Sequence, residues 1–453
     1  MFQIFGQEIY TYRWPQIDQH KCRAHLSEFE TLNAVSAAGK EYCSSLNVLV
    51  IAQYFPPDLG GSATRAYNLA KGLSLNGCNV TVVAAFPHYP LGIVPREYRW
   101  KPLKVEWMGK VKVIRTFMPP IKSEGFFKRL VLIGAFAVSS MFALPFVGKV
   151  DAVWSSSWVP GTVYGRVKRR PVALNEDDLT LEDIVDLGLI REDSLVLRMA
   201  EWVYRLFLTK GDAVTPISPG YIETISKKYC VDKNRIHVVR GGVDLSIFEA
   251  RPSIRHSGQK FRVLYAGVLG VGYDFDQIFR AAKIVEQRSG DVEFVLHGGG
   301  ESLGYIKDQI KEQNLTNVKL SDRILNSRKE VAELLNAADT LILPMKDFGR
   351  PYLGIATKIY EYQAVGKPII CCGEGQPATY IRETGSGIVV KPGDEEALTR
   401  AVFYLMKNPE IAQNMGENGR KYVEHEASIE AIGSKMKEIF EALVRALAAR
   451  SRN

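Results

Sequence analysis

The strongest constraint on the fold is a strand, a glycine-bearing loop, a helix and a second strand, read in that order. NVLVIAQYF (47–55) is a continuous apolar run, PPDLGG follows, ATRAYNLAKGLSLNG (63–77) has helical spacing stopped by Gly77, and NVTVVAAF (79–86) is again strand-like. Two strands joined through a helix must be parallel neighbours, so both sheet faces carry helices. KVKVIRTF (110–117) and DAVWSS (151–156) continue the alternation. A second run of the same kind begins at FRVLYAGVLG (261–270). It continues through a helix (274–287), a strand VEFVLHGGGE (292–301), a helix (304–313) and strands at 317–320, 339–344 and 367–372. The expected class is therefore α/β, with two doubly wound, Rossmann-like parallel-sheet domains facing across a cleft.

The domain limits follow from these runs. Residues 1–45 show no clean apolar period and form an appended segment with no assignable chemistry. The first domain spans 46–247, a polar, proline-bearing linker spans 248–260, the second domain spans 261–425, and an amphipathic helix closes the chain over 426–453. With 453 residues, 46% hydrophobic and 24% charged, neither a disulfide miniprotein nor a disordered chain fits. Six cysteines include no C-x-x-C pair, and adjacent Cys371 and Cys372 must point to opposite faces of a strand, so reduced structural thiols are expected. The opening MFQIFGQEIYTYRWPQ lacks a basic stretch followed by an apolar one, which makes the cytoplasm the default compartment.

In facing sheets of this class, ligands bind beyond the carboxyl ends of the strands. Gly60 and Gly61 stand between the first strand and first helix, where a missing side chain opens backbone N–H groups to a phosphate or acceptor, or simply permits a tight turn. No G-x-G-x-x-G is present, which argues against a dinucleotide-binding dehydrogenase. HGGGE (297–301), with Gly299 at its centre, has the same placement and the same two readings. In IATKIYEYQAVGKPIICC (355–372), Lys358 and Glu361 are three apart on one helix face. A cation at a helix N-terminus opposes the dipole, which makes sense if an anion binds there: Lys358 then neutralises phosphate while Glu361 accepts from a ribose diol. The alternative is a plain surface ion pair.

Taken with QYFPPDLGGSATR (53–65), FPHYPLG (86–92), EDDLTLEDIVDLGLI (176–190), AVTPISPGYIETI (213–225), RGGVDLSIF (240–248) and TKIYEYQAVGKPII (357–370), the chain resembles the family 4 glycosyltransferases of the GT-B fold. Within that family it is most similar to the polysaccharide-biosynthesis branch of fucosamine and colanic acid transferases. The resemblance implies a nucleotide-sugar donor in the second domain, with Glu361 on the ribose and Thr357, Gly267 and Gly299 beside it. The first domain would hold a glycan or polyprenyl-diphosphate-linked acceptor. It also implies retention of anomeric configuration and no resident metal or cofactor, because positive side chains stabilise the leaving diphosphate. Nucleic acid is not an expected partner.

Two family features are replaced. Many members carry a Glu where this chain has Leu353, and a G-R-x-x-x-x-K pattern where Val268 and Tyr273 stand. Lys358, Arg350 and Arg240 are the candidates to supply the missing positive charge. His88 of FPHYP and Asp178 after VALNED lie at strand ends on the cleft side, and are candidates for acceptor contact or catalysis as well as for structural roles. A nucleotide-sugar epimerase of the same fold and a catalytically inactive carbohydrate-binding subunit are the alternative readings.

Residues 91–170 carry 15 Lys/Arg against 4 Asp/Glu, an excess of +11 where the whole chain has +8. Inside this region LVLIGAFAVSSMFALPFV (130–147) is uncharged. Spanning a bilayer there would divide one sheet between two compartments, so the segment is expected either to be buried or to lie in the interface of an anionic membrane. Lys128, Arg129, Lys168, Arg169 and Arg170 would then hold the protein peripherally at the inner face of the plasma membrane.

Overall fold

The computed structural model describes residues 45–450 apart from 59, 90–91, 100, 123–125, 178–180, 183–184, 186–189, 192, 252–257, 324 and 326. The first half runs β1 (Asn47–Ala52), α1 (Gly61–Leu75), β2 (Asn79–Ala85), β3 (Leu103–Met108), β4 (Val111–Thr116), α2 (Phe126–Met141), β5 (Ala152–Ser155), α3 (Trp158–Lys168), β6 (Val172–Glu176), α4 (Leu195–Leu208), β7 (Ala213–Pro216) and α5 (Ile222–Lys227). Its seven strands are ordered β3-β4-β2-β1-β5-β6-β7, all parallel except β3. The short edge strand β3 was not anticipated, because its alternation extends over six residues only; it is pinned by the Arg115–Glu106 ion pair at 2.7 Å.

The second half runs β8 (Phe261–Ala266), α6 (Phe275–Arg288), β9 (Val292–His297), α7 (Leu303–Glu312), β10 (Val318–Ser321), α8 (Arg328–Asn336), β11 (Thr340–Pro344), α9 (Lys358–Ala364), β12 (Ile369–Cys372), α10 (Gln376–Thr384), β13 (Gly387–Val390), α11 (Glu395–Lys407) and α12 (Pro409–Tyr422). A final helix, α13, spans Ile429–Arg450. The six parallel strands are ordered β10-β9-β8-β11-β12-β13.

The strands are continuous apolar runs because helices cover both faces. In β1, Leu49 and Ile51 enter the core layer beneath α2, α3 and α4, while Val48, Val50 and Ala52 enter the layer beneath α1 and α13. Cys371 and Cys372 likewise face opposite cores, and burial pushes the Cys371 thiol up to about 12. Asp274 caps α6 by accepting from the Gln277 N–H at 3.1 Å, as its place before the helix implies.

The halves are joined twice. The outgoing chain at Val243 and the returning chain at Ala427–Ile429 hydrogen-bond to each other at 2.8 and 3.0 Å. Val243 and Phe248 already belong to the second core, so the backbone crosses ahead of residue 248. After the return, α13 packs along α1 in the first half, inserting Ile432, Met436 and Phe440 into its core. A Cβ at Gly433 would collide with the Gly72 backbone, so the two glycines permit this helix contact.

The apolar stretch 130–147 is not one helix: α2 ends at Met141 and a 3₁₀ turn at Leu144–Phe146, carrying Pro145, follows. Leu132 and Phe136 are buried, whereas Leu130, Val131, Ile133 and Val138 are exposed. Among the described residues no helix is long and apolar enough to cross a membrane.

Candidate active site

Both sheets reverse their winding beside their first strand, at β1/β5 and at β8/β11, and both sites lie at these switch points. In the first half the ends of β1, β5 and β6 surround a cavity of about 510 Å³. Its walls include Tyr54, Tyr89 and Trp158, the glycines Gly60 and Gly61, and the carboxylates Glu176 and Asp177. Gly60 has a φ of 115°, a conformation open to glycine, and turns the chain from the loop after β1 into α1.

The acidic wall is held from behind. Glu176 accepts from the Trp158 indole N–H at 2.8 Å and from the Tyr204 hydroxyl, which fixes its carboxylate at the cavity edge. Asp177 meets the Arg65 Nε at 3.3 Å; burial pushes its carboxyl up, against the pull of that guanidinium. Arg65 is itself buried in α1 and donates to the Val239 carbonyl at 2.8 Å and to the Arg240 carbonyl, tying this wall to the crossover between the halves.

His88 is buried and does not reach the cavity surface. Its Nδ1 lies 2.9 Å from the Phe86 carbonyl, its ring stacks on Tyr54 with centroids 5.5 Å apart, and its backbone N–H donates to Asp58 at 2.7 Å. Asp58 also accepts from the Tyr89 N–H at 2.8 Å, so this buried pair positions both tyrosines of the cavity wall. Asp178 lies outside the described residues. Glu176 and Asp177, immediately before it, are the described carboxylates of that wall. Sequence reasoning passed over them because both belong to or adjoin β6, although three consecutive acids at a strand end were a visible signal.

Across the cleft, a Cβ at Gly61 would lie 3.4 Å from the Thr357 hydroxyl, so the α1 loop and the start of α9 face each other directly. Lys358 turns towards β8. Its ammonium donates to the Tyr265 hydroxyl at 2.8 Å and lies 4.2 and 4.3 Å from the ring centroids of Tyr265 and Tyr273. A Cβ at Gly267 would stand 2.7 Å from the same nitrogen, so the glycine gives the ammonium its place above the β8 loop. Burial raises the Tyr265 phenol far above its ordinary range, keeping it a hydroxyl that donates its own hydrogen bond to the Val268 carbonyl. Tyr273, one of the two departures from the G-R-x-x-x-x-K pattern, is thus part of the platform holding the cation that α9 supplies.

The surface ion pair between Lys358 and Glu361 does not form. Glu361 instead binds Arg328 at the start of α8, and Arg328 rests 5.0 Å from the Phe248 ring. Gly299 accepts the Leu269 N–H at 2.9 Å, but the backbone contact that demands glycine is at its neighbours: a Cβ on Gly298 or Gly300 would collide with the carbonyls of Gly267 or Leu269. Arg350 is exposed on the loop between β11 and α9. Arg240 sits in the crossover, 3.4 Å from the Tyr422 hydroxyl and stacked over Tyr380 at 5.3 Å. Leu353 packs against the first core, and its carbonyl accepts from Ser218 at 2.5 Å. The position that carries Glu in many family members is here a contact between the halves. Among the described residues no group of three or more His, Cys, Asp or Glu could hold a metal ion.

Two parallel sheets with opposed switch points are the arrangement of the GT-B fold, and comparison with known proteins gives the family. The family described as Glycosyl transferase 4-like domain matches residues 60–242, and Glycosyl transferases group 1 matches 246–422. The chain belongs to the family 4 type glycosyltransferases. A putative colanic acid biosynthesis glycosyl transferase, WcaI, of Escherichia coli (strain K12) is 24% identical over 403 residues, covering 82% of this chain and 96% of the relative. Among solved structures, sucrose-phosphate synthase from Thermosynechococcus elongatus superposes with a TM-score of 0.68 at 18% identity, over 88% of this chain and 100% of that one. Anabaena HepE in complex with UDP and glucose superposes with a TM-score of 0.61 at 17% identity, over 88% and 100%.

Proposed function

We propose that the protein is a retaining, metal-independent hexosyltransferase that moves a sugar from a nucleotide-sugar to a glycan or polyprenyl-diphosphate-linked acceptor, at the cytoplasmic face of the membrane, in surface polysaccharide or glycoconjugate biosynthesis. The observation that carries this reading is the approach of Gly61 to Thr357, which sets the glycine loop of the aromatic, acidic cavity against the start of the helix that carries Lys358. Tyr54, Tyr89 and Trp158 offer flat apolar faces to a sugar, and the Glu176 and Asp177 carboxylates accept from its hydroxyls. On the other side Lys358 and the backbone of the β8 and β9 loops receive the diphosphate, and Glu361 receives the ribose diol once it exchanges Arg328 for the nucleoside.

In the transfer, the bond from the anomeric carbon to the diphosphate oxygen breaks while the acceptor oxygen bonds to that carbon on the same face. The acceptor proton leaves with the departing phosphate, whose growing charge Lys358 offsets. His88, behind Tyr54, orders the acceptor wall, and Asp178, next in sequence after Glu176 and Asp177, is the further candidate acid.

The test is a panel of UDP-, GDP- and dTDP-sugars. A donor at 100 times its Kd raises stability by about 2.7 kcal/mol. The stabilising donor should give a glycosylated product of unchanged anomeric configuration, in the presence of EDTA. Loss of turnover in EDTA with recovery in Mn²⁺ would remove the metal-independent mechanism, and interconversion of free nucleotide-sugars without transfer would replace it by epimerisation.

A further inference from the structure

The helix α4 is turned inside out. Leu195, Val196, Met199, Trp202, Val203 and Leu206 follow helical spacing along one stripe, yet that stripe faces solvent, with Leu195 74%, Met199 70% and Trp202 66% exposed. The buried side carries Leu197, Tyr204 and Leu208. An apolar stripe at this period normally covers the core; here the core side is already filled, and the second stripe is left for something outside.

Two further observations say what. First, α2, α3 and α4 contribute to one core layer and so cover the same face of the first sheet, and α2 exposes Leu130, Val131, Ile133 and Val138 on it. The exposed charges of α2 and α4 have one sign: Lys128 and Arg129 on α2 and Arg198 and Arg205 on α4 are exposed, while the only acid of the two helices, Glu201, is tied to Lys228 at 2.7 Å. Second, the face runs into the acceptor cavity, since Arg129, Ile133 and Ala137 of α2 and Val159 of α3 form part of its wall.

We infer that α4, with the outer face of α2, lies in the interface of an anionic lipid leaflet and presents the cavity to a lipid-borne acceptor. The inference rests on the reading of the cavity as an acceptor site. A stripe from Leu195 to Leu206 is about 17 Å long, too short to cross a bilayer and long enough to lie in its plane. Trp202 sits where an interfacial anchor belongs, and the flanking arginines meet the phosphates. The basic run Lys168–Arg170, by contrast, is at the far end of α3, where Arg169 and Arg170 border a separate recess with Arg166 and Lys210.

The full chain should co-sediment with vesicles of phosphatidylcholine mixed with phosphatidylglycerol more than with phosphatidylcholine alone, and brominated lipid should quench its fluorescence. Met199→Gln/Trp202→Gln should lower vesicle partitioning at least about tenfold, because two inserted apolar side chains are lost. Leu75→Gln, 54% exposed at the end of α1 on the other face of the sheet, should change nothing. The quenching should disappear in Trp202→Phe. An unchanged midpoint of unfolding confirms that the variants fold. Transfer to a short-chain, water-soluble acceptor should persist in the double variant; its absence in the wild type as well would count against the transferase reading, independently of lipid. Equal partitioning of wild type and double variant overturns the inference, as does a lack of wild-type binding. A wild-type dimer that the double variant converts to monomer would assign the face to a second copy instead.

Discussion

The two halves use the same strand-helix-strand arithmetic and spend their surfaces differently. In the second half, helices α6, α8 and α11 begin with the capping side chains Asp274, Ser327 and Asp394, and turn their apolar faces inward. Its functional groups are few and are held by internal partners, Lys358 by two tyrosines and Glu361 by Arg328. In the first half, the switch point opens into a cavity of about 510 Å³ and the covering helices leave apolar stripes in solvent. On the proposed function, the difference matches what each half would meet. A nucleoside diphosphate is small, charged and of one shape, and suits a preorganised polar cradle; an acceptor carried on lipid needs room and an apolar approach.

Removing the cation breaks the second half's part of this comparison most sharply. Lys358→Ala should lower turnover about a hundred- to a thousandfold while changing donor affinity much less, because charge on the leaving diphosphate grows in the transition state. Single-turnover kinetics beside donor titration separates the two effects. Equal losses in both would make Lys358 a ground-state binding residue.

The join between the halves is tested next. Gly433→Leu places a side chain into the Gly72 backbone and should cost about 3 kcal/mol in chemical denaturation. A variant as stable as the wild type would mean that α13 can leave α1 without cost. Donor recognition is sharpened by Glu361→Ala, which on the proposed function removes ribose hydrogen bonds worth about 1.5–3 kcal/mol and should weaken donor binding ten- to a hundredfold. Arg328→Ala frees the same carboxylate and should not weaken donor binding; if it weakens binding as much as Glu361→Ala, the pair acts as a structural unit.

The smallest effect concerns His297, which ends β9. Burial lowers its pKa from 6.5, with the Arg323 charge acting in the same direction. The native imidazole therefore stays neutral while the unfolded one gains a proton, so its contribution is present above pH 6.5 and is lost as pH falls through the lowered native value. His297→Asn should flatten the loss of stability on acidification below neutral pH, read from denaturation midpoints along a pH series; an unchanged slope would assign that loss elsewhere.

Much of the scaffold was legible from period and punctuation. NVLVIA, FRVLYA and TLILP are apolar on every residue or nearly so, as strands buried on both faces must be, and each glycine loop falls at a strand end. The helix that carries Lys358 was legible too, because TKIYEYQA has helical spacing after a glycine-containing loop. Helix α4 was not. Its sequence reads as an ordinary amphipathic helix, and periodicity states only that a stripe exists, not which way it faces. The support for Glu176 from Trp158 and Tyr204, 18 and 28 residues away, was equally out of reach.

What the sequence determined by itself is the set of local facts: strands and helices from apolar period, parallel pairing from their alternation, family from six motif segments in order. These are properties of neighbours along the chain. Tertiary structure alone decided that Lys358 and Glu361 part company, that Leu353 joins the halves where relatives carry Glu, that α13 returns to the first half on two glycines, and that the stripe of α4 looks outward. Each of these depends on which surface a side chain meets after packing, and that is settled by residues tens to hundreds of positions away.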